Sequence, residues 1–175
     1  MSPTGRKGAH GVLSYNTTDR THTVTRKERP VIDTSAGVLV RKRIYLDDLD
    51  GFGMLHHARY ALLFDNAVID FWADAGWQLD PSKSVLVIRE LTMTYHQPVV
   101  GISEVDVHFW VERAGRTSVT YRFQVLSADH TVLHADGQRV VVNLDGQTLR
   151  PAPIGDDVWA LAAPLLAPGV ERPAA

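Results

Sequence analysis

The chain has 175 residues, 45% of them hydrophobic and 22% charged, which fits one globular domain able to bury a core without staples. It has no cysteine, which excludes disulfides, thiolate nucleophiles and cysteine-based zinc sites. A net charge of −2 argues against a nucleic-acid partner, and with no apolar run long enough for a bilayer and no signal-peptide pattern, a cytoplasmic protein is expected.

Residues 1–36 are rich in Thr, Gly, Ser and charge, carry a net +3, and read as a flexible N-terminal extension. The body opens with a strand over Val38 to Leu46, in which Val38, Val40, Ile44 and Leu46 share a face interrupted by Lys42. From about Leu55 to Ala75 the period changes to that of a helix, with Tyr60, Phe64, Ala67, Val68, Phe71 and Ala75 recurring at three- and four-residue steps. Leu62, Leu63, Ile69 and Trp72 widen the stripe, so this helix is expected to be buried on most of its circumference. Gly76 supplies its stop, and Asp80-Pro81-Ser82 marks a loop.

Four strand-like segments follow, at Val85–His96, Val105–Val111, Val119–Val125 and Thr131–Asn143, with Gly137 read as a bulge position. Short turns at 114–116 and 128–130 predict an antiparallel meander. Pro151 and Pro153 end the sheet, and Asp156 or Asp157 caps a short helix through Leu161. The expected organisation is an extension over 1–36, a folded domain over 37–153, and a short helix with a tail over 154–175. A single very apolar helix must be covered by the sheet, which gives an α+β fold.

The run from Leu46 to Tyr60 sets acids, two glycines and a histidine pair between strand and helix. Glycine lets a backbone turn tightly against a ligand, and a helix start offers unpaired N–H groups and a positive dipole end. An acid held there is a candidate hydrolytic group, as nucleophile or as general base. Asp50 is that acid. Its bland alternatives are a turn residue or a helix N-cap. No Ser stands in a Gly-x-Ser-x-Gly elbow. His57 can orient water, bind a carbonyl or fill a polar pocket. His56 reads as packing, Asp47 and Asp48 as solvated acids, and Asp65 as a structural partner of a neighbouring strand or subunit. His96, His108, His130 and His134 read as surface or interface residues, and the four tryptophans as packing groups, with Trp77 a lesser candidate for bordering an acyl pocket. The acids around Asp50 fail the register of a calcium loop, and no metal is expected.

The register Asp50-Gly51-Phe52-Gly53-Met54-Leu55-His56-His57-Ala58-Arg59-Tyr60, continued by Phe64-Asp65-Asn66-Ala67, Val87 to Tyr95, Pro98 and Arg116-Thr117-Ser118, resembles the hotdog-fold acyl-CoA thioesterases. Within them it is most similar to the 4-hydroxybenzoyl-CoA thioesterase-like branch, over about residues 38–151. The resemblance implies a curved antiparallel sheet of about five strands around one long central helix. It implies hydrolysis of an acyl-CoA to free acid and coenzyme A, with no cofactor. Asp50 then aligns with the catalytic carboxylate and the His57 backbone N–H with the group that polarises the thioester carbonyl. The His57 side chain matches a histidine used in one branch. Gly53, Tyr60, Arg89, Arg113, Arg116 and Ser118 are implied substrate-binding positions, the last three near the turn where coenzyme A runs. A homo-oligomer, either a dimer or a dimer of dimers (a homotetramer), is implied, with no nucleic acid or membrane partner. The chain departs from the branch at Leu46, Met54, His56 and Arg59, around the acyl pocket, so no particular acyl group carries over. Two other readings keep the same fold: a non-catalytic acyl-CoA-binding protein, and a dehydratase of 3-hydroxyacyl thioesters.

Overall fold

The structure, a computed structural model, describes residues 32–78 and 80–173; most of the expected N-terminal extension lies outside them. Five strands and one long helix make the body: β1 (Val38–Ile44), α1 (Arg59–Asp74), β2 (Ser84–Tyr95), β3 (Ser103–Ala114), β4 (Ser118–Ser127) and β5 (Leu133–Asp145). A short α2 (Asp156–Leu161) follows, and single 3-10 turns lie at Leu46–Asp48 and Ala163–Leu165. All strand pairs are antiparallel, in the order β1-β3-β4-β5-β2.

Strand order corrects the expected four-strand meander. Only β3, β4 and β5 are hairpin neighbours; β2 lies at the far edge against β5, and β1 takes the other edge against β3. The helix between β1 and β2 carries the chain across the concave face, from one edge of the sheet to the other.

Helix α1 fills that face. Tyr60, Leu63, Phe64, Ala67, Val68 and Trp72 are buried on it. Phe64 is fully enclosed, stacked on Phe123 at 4.2 Å and edge-on to Phe109 at 5.7 Å. Each large apolar side chain buried in this way contributes about 1.5–3 kcal/mol, which is why the helix forms without a side-chain N-cap. Gly76 ends it at φ +80°, its N–H donating to the Ala73 carbonyl, as expected of a glycine stop. Lys42, the break in the apolar face of β1, pairs with Asp70 of α1.

Several expectations shift. The helix begins at Arg59 rather than Leu55, because Met54 and Leu55 are held in isolated bridges to Val100 and Leu49. Strand β1 stops at Ile44, and Leu46 is in the 3-10 turn. Gly137 is not a bulge: the register runs unbroken through it, and the irregularities fall at Ile88/Glu90, Val111/Arg113 and Val125/Leu126. Glycine is needed there because a Cβ would lie 2.2 Å from the Thr92 carbonyl oxygen and 2.5 Å from the Phe123 ring. Asp156 and Asp157 occupy the first turn of α2, whose N-cap is Gly155.

His108 is buried rather than superficial. Its ring bonds the Ala36 carbonyl at 2.6 Å and Gln124 at 3.3 Å. Ala36 therefore belongs to the folded body, one residue before the expected boundary. Trp72 and Trp159 are buried, while Trp77 and Trp110 are half-buried.

Candidate active site at the start of the central helix

The chain leaves β1 at the end of the sheet where β3 begins, since Ile44 pairs with Ser103. It turns through Leu46–Asp48 and reaches Asp50, whose own backbone closes a tight loop: its N–H donates to the Met54 carbonyl at 2.7 Å, and its carbonyl accepts from Gly53 at 3.0 Å. Gly53 holds φ +74°, the left-handed conformation that this loop requires.

The Asp50 carboxylate is half-buried. Oδ1 accepts from the N–H groups of Phe52 at 2.8 Å and Met54 at 3.1 Å. Of the bland alternatives, Asp50 is thus a turn residue and not a helix cap. Only one oxygen is used in this way. Among the described residues Oδ2 has no hydrogen-bond partner, so it remains open for chemistry.

His57 lies just before α1 and is exposed. Its carbonyl accepts from the Tyr95 hydroxyl at 3.0 Å, which ties the peptide to the end of β2. Among the described residues its N–H bonds to nothing. His56 does not pack in the core: it is exposed, its N–H donates to the Asp48 carbonyl, and its Nδ1 accepts from Ala58 at 3.2 Å. The two imidazoles lie 4.2 Å apart. Asp48 is not merely solvated either. It accepts from the Tyr45 N–H at 2.9 Å and pairs with Arg59 at 3.5 Å, fastening the turn to the first residue of the helix.

Tyr60 is buried beneath this loop, its hydroxyl accepting from the Val99 N–H at 3.3 Å and its ring edge-on to Tyr95 at 5.2 Å. Burial pushes its phenol above the ordinary value. Asp50, Gly53, His57 and Tyr60 therefore share one loop and helix start. A cavity of about 400 Å³ adjoins it on the β1 side, lined by Lys42, Arg43, Asp48, Arg59 and Leu62 among others.

The other predicted positions stand elsewhere. Arg89 is the bulged, exposed residue of β2. Arg113, Arg116 and Ser118 lie around the β3–β4 turn, at the opposite end of the sheet from Asp50. Ten residues of β3 separate the two ends, about 33 Å of extended chain. A larger cavity of about 570 Å³ opens at that far end, walled by Trp77, Leu86, Asn143, Ile154 and Val158 among others. It adjoins the β3–β4 turn, because the Ile154 N–H donates to the Arg116 carbonyl. Asp65 makes a structural bond to a neighbouring strand, as expected, and its partner is Arg139 of β5. Nothing in the local pattern singled out Arg139, which reads as an ordinary polar residue of an alternating strand.

Comparison with known proteins gives a consistent picture. Residues 52–134 match the thioesterase superfamily, beginning just after Asp50. The acyl-CoA thioester hydrolase YbgC of Escherichia coli O6:H1 is 21% identical over 121 residues, covering 67% of this chain and 90% of that protein. The crystal structure of the PA5185 protein from Pseudomonas aeruginosa superposes with a TM-score of 0.69 at 20% identity, over 77% of this chain and 94% of that one. A 1,4-dihydroxy-2-naphthoyl-CoA thioesterase from Synechocystis superposes with a TM-score of 0.67 at 15% identity, over 73% and 96%. The five-stranded sheet wrapped on one helix is the hotdog fold, and its residues 52–134 match the model of the thioesterase superfamily.

Proposed function

We propose that this chain hydrolyses an acyl-CoA thioester, with Asp50 as the carboxylate that attacks the carbonyl or activates water. The observation that carries the reading is the pairing, in one short segment, of a carboxylate oxygen and a backbone N–H that are both unpartnered among the described residues: Oδ2 of Asp50 and the N–H of His57. Thioester hydrolysis needs both a nucleophile or base and a donor aimed at the developing oxyanion. The N–H at the entry to α1 serves the second role, with the helix dipole behind it. Because Oδ1 is fixed by two backbone donors, the free oxygen is held in one orientation, which favours reaction over a solvated, rotating carboxylate.

A second copy of the chain completes the site in this reading. Among the described residues the outer edge of β2 is unpaired, and its concave side exposes Leu86, Ile88, Leu91 and Tyr95; Ile69 of α1 is exposed as well. An exposed apolar edge strand of this length is a pairing surface. Two β2 edges joined antiparallel bring the Asp50 end of one protomer to the Arg113, Arg116 and Ser118 end of the other. Those two arginines then suit the phosphates of coenzyme A, and the cavity bordered by Trp77 suits the rest of its chain. The cytoplasm, where acyl-CoA is made and used, belongs to the same reading.

The test is release of free thiol from aromatic, short-chain and medium-chain acyl-CoAs, with subunit mass measured by light scattering. Turnover of at least one thioester by an oligomer supports the proposal. Binding without turnover across the whole panel contradicts it.

A further inference from the structure

Arg139 is 6% exposed, one of the most deeply buried charged groups among the described residues. It stands mid-strand on the concave side of β5, its guanidinium stacked 4.2 Å from the Phe64 ring and 5.7 Å from Tyr121. One terminal nitrogen, Nη1, donates to Asp65 of α1. The other side of the fork is idle: Nε is buried without any partner, and Nη2 bonds to no described group. Buried polar groups are almost always satisfied, and a buried cation left half-bonded is costly. The unused pair is the side-on edge of the guanidinium, which suits two oxygens at once.

The position of this edge gives it a reading. Cross-strand partners share a face of a sheet. Tyr95 pairs with Ala135, Met93 with Gly137 and Leu91 with Arg139, so these three β2 side chains share the concave side with Arg139. Tyr95 and Leu91 are 51% and 40% exposed, and Asp65 on the facing side of α1 has a side chain 36% exposed. The concave side of β2 therefore presents an exposed apolar row beside Arg139. It starts at Tyr95, which bonds the His57 carbonyl, and reaches the Asp65–Arg139 pair. From Arg59 to Asp65 is six residues of helix, about 9 Å.

We propose that Arg139 recognises the far end of the substrate's acyl group, and that this group carries a hydrogen-bond-accepting oxygen, best a carboxylate, about 9 Å from the thioester carbonyl. The inference rests on the thioesterase reading for the place of the thioester, but not on turnover. Asp65 acts as a positioning residue, occupying Nη1 so that the Nε–Nη2 edge is left for the ligand.

The experiment uses non-hydrolysable thioether analogues of octanoyl-CoA, 8-hydroxyoctanoyl-CoA and octanedioyl-CoA, whose extended chains are equal in length and differ only at the far end. Binding to the full chain is measured by calorimetry. The oxygen-bearing analogues are expected to bind about tenfold or more tighter than the octanoyl analogue, since a site built around a polar group discriminates strongly against a ligand lacking it. Arg139→Met is expected to reduce that ratio to about one without weakening the octanoyl analogue. Arg139→Lys, which keeps the charge and loses the fork, is expected to recover the hydroxyl analogue better than the carboxylate. Equal binding of all three by the wild-type protein overturns the inference, and this holds even if the variants fail to fold. So does a preference that survives in Arg139→Met, or an Arg139→Met protein that loses only its oligomeric state. A binding preference with no thiol release from the matching acyl-CoAs leaves this inference standing and removes the catalytic one.

Discussion

Gly137→Ala tests the packing that aligns β2 with the helix. The added Cβ would lie 2.2 Å from the Thr92 carbonyl oxygen, 2.5 Å from Cζ of Phe123 and 2.8 Å from its Cε1. None of these neighbours can give way cheaply. Thr92 is part of the ladder between β2 and β5, and Phe123 is fully buried and stacked on Phe64. Overpacking of this kind costs about 1–3 kcal/mol, and the backbone contact places Gly137→Ala at the upper end. A loss of about 3 kcal/mol in a chain of this size lowers Tm by roughly 6–12 °C. Gly51→Ala is the control, because nothing lies within 4 Å of where its Cβ would stand and its φ is not positive; it is expected to change stability by less than about 1 kcal/mol. Thermal unfolding followed by circular dichroism reads both. A Gly137→Ala protein as stable as Gly51→Ala would refute the claim that close approach, rather than a turn, dictates the glycine.

Other outcomes follow from the same contacts. Phe64→Ala is expected to cost about 3–5 kcal/mol in urea unfolding, because the ring is fully buried among Phe109, Tyr121 and Phe123. Tyr95→Phe removes the bond to the His57 carbonyl; kcat/KM is expected to fall several-fold while stability changes by only about 0.5–1.5 kcal/mol, as measured by thiol release and thermal melting. Asp106 is buried on the convex face, its oxygens bonded by Arg41 at 2.8 Å and by His130 at 2.7 Å. Its bonds to Arg41 hold the carboxyl below its ordinary value of 3.8. A depressed carboxylate stabilises the fold above its unfolded pKa and loses that contribution as pH falls through its folded value. The urea midpoint should therefore fall more steeply in the wild type than in Asp106→Asn between about pH 4 and pH 2.

Much of this architecture was legible in the chain. The change from alternating to helical periodicity located β1, α1 and the later strands, and Gly76 ended the helix where its left-handed backbone indicated. What local patterns could not carry was pairing between distant segments. Strand β2 reads like the first member of a meander, yet α1 carries it to the opposite edge. The helix start was misplaced because Leu55 continues the apolar stripe while its N–H is bonded to the Val99 carbonyl. His108 and Arg139 both occupy alternating strand positions, and their burial comes from Ala36 and from α1, far away in sequence. The Asp50 loop was readable because all its parts are local: the acid, the two glycines and the helix entry fall within a few residues. The arrangement at the far end was not, since Arg113 and Arg116 meet a substrate only through a second chain in the proposed assembly.

The most direct test of the central claim compares Asp50→Asn with Asp50→Ala. Asparagine keeps the oxygen that accepts from Phe52 and Met54, and so keeps the turn, while losing the charged, free oxygen. Alanine loses both. The account predicts that Asp50→Asn melts within a few degrees of the wild type and that its rate of thiol release on the best acyl-CoA falls by about 10²–10⁴. Asp50→Ala is expected to be equally inactive and about 1–3 kcal/mol less stable. An Asp50→Asn protein that keeps its fold and hydrolyses within about tenfold of the wild-type rate would contradict the assignment of Asp50 as the reacting carboxylate.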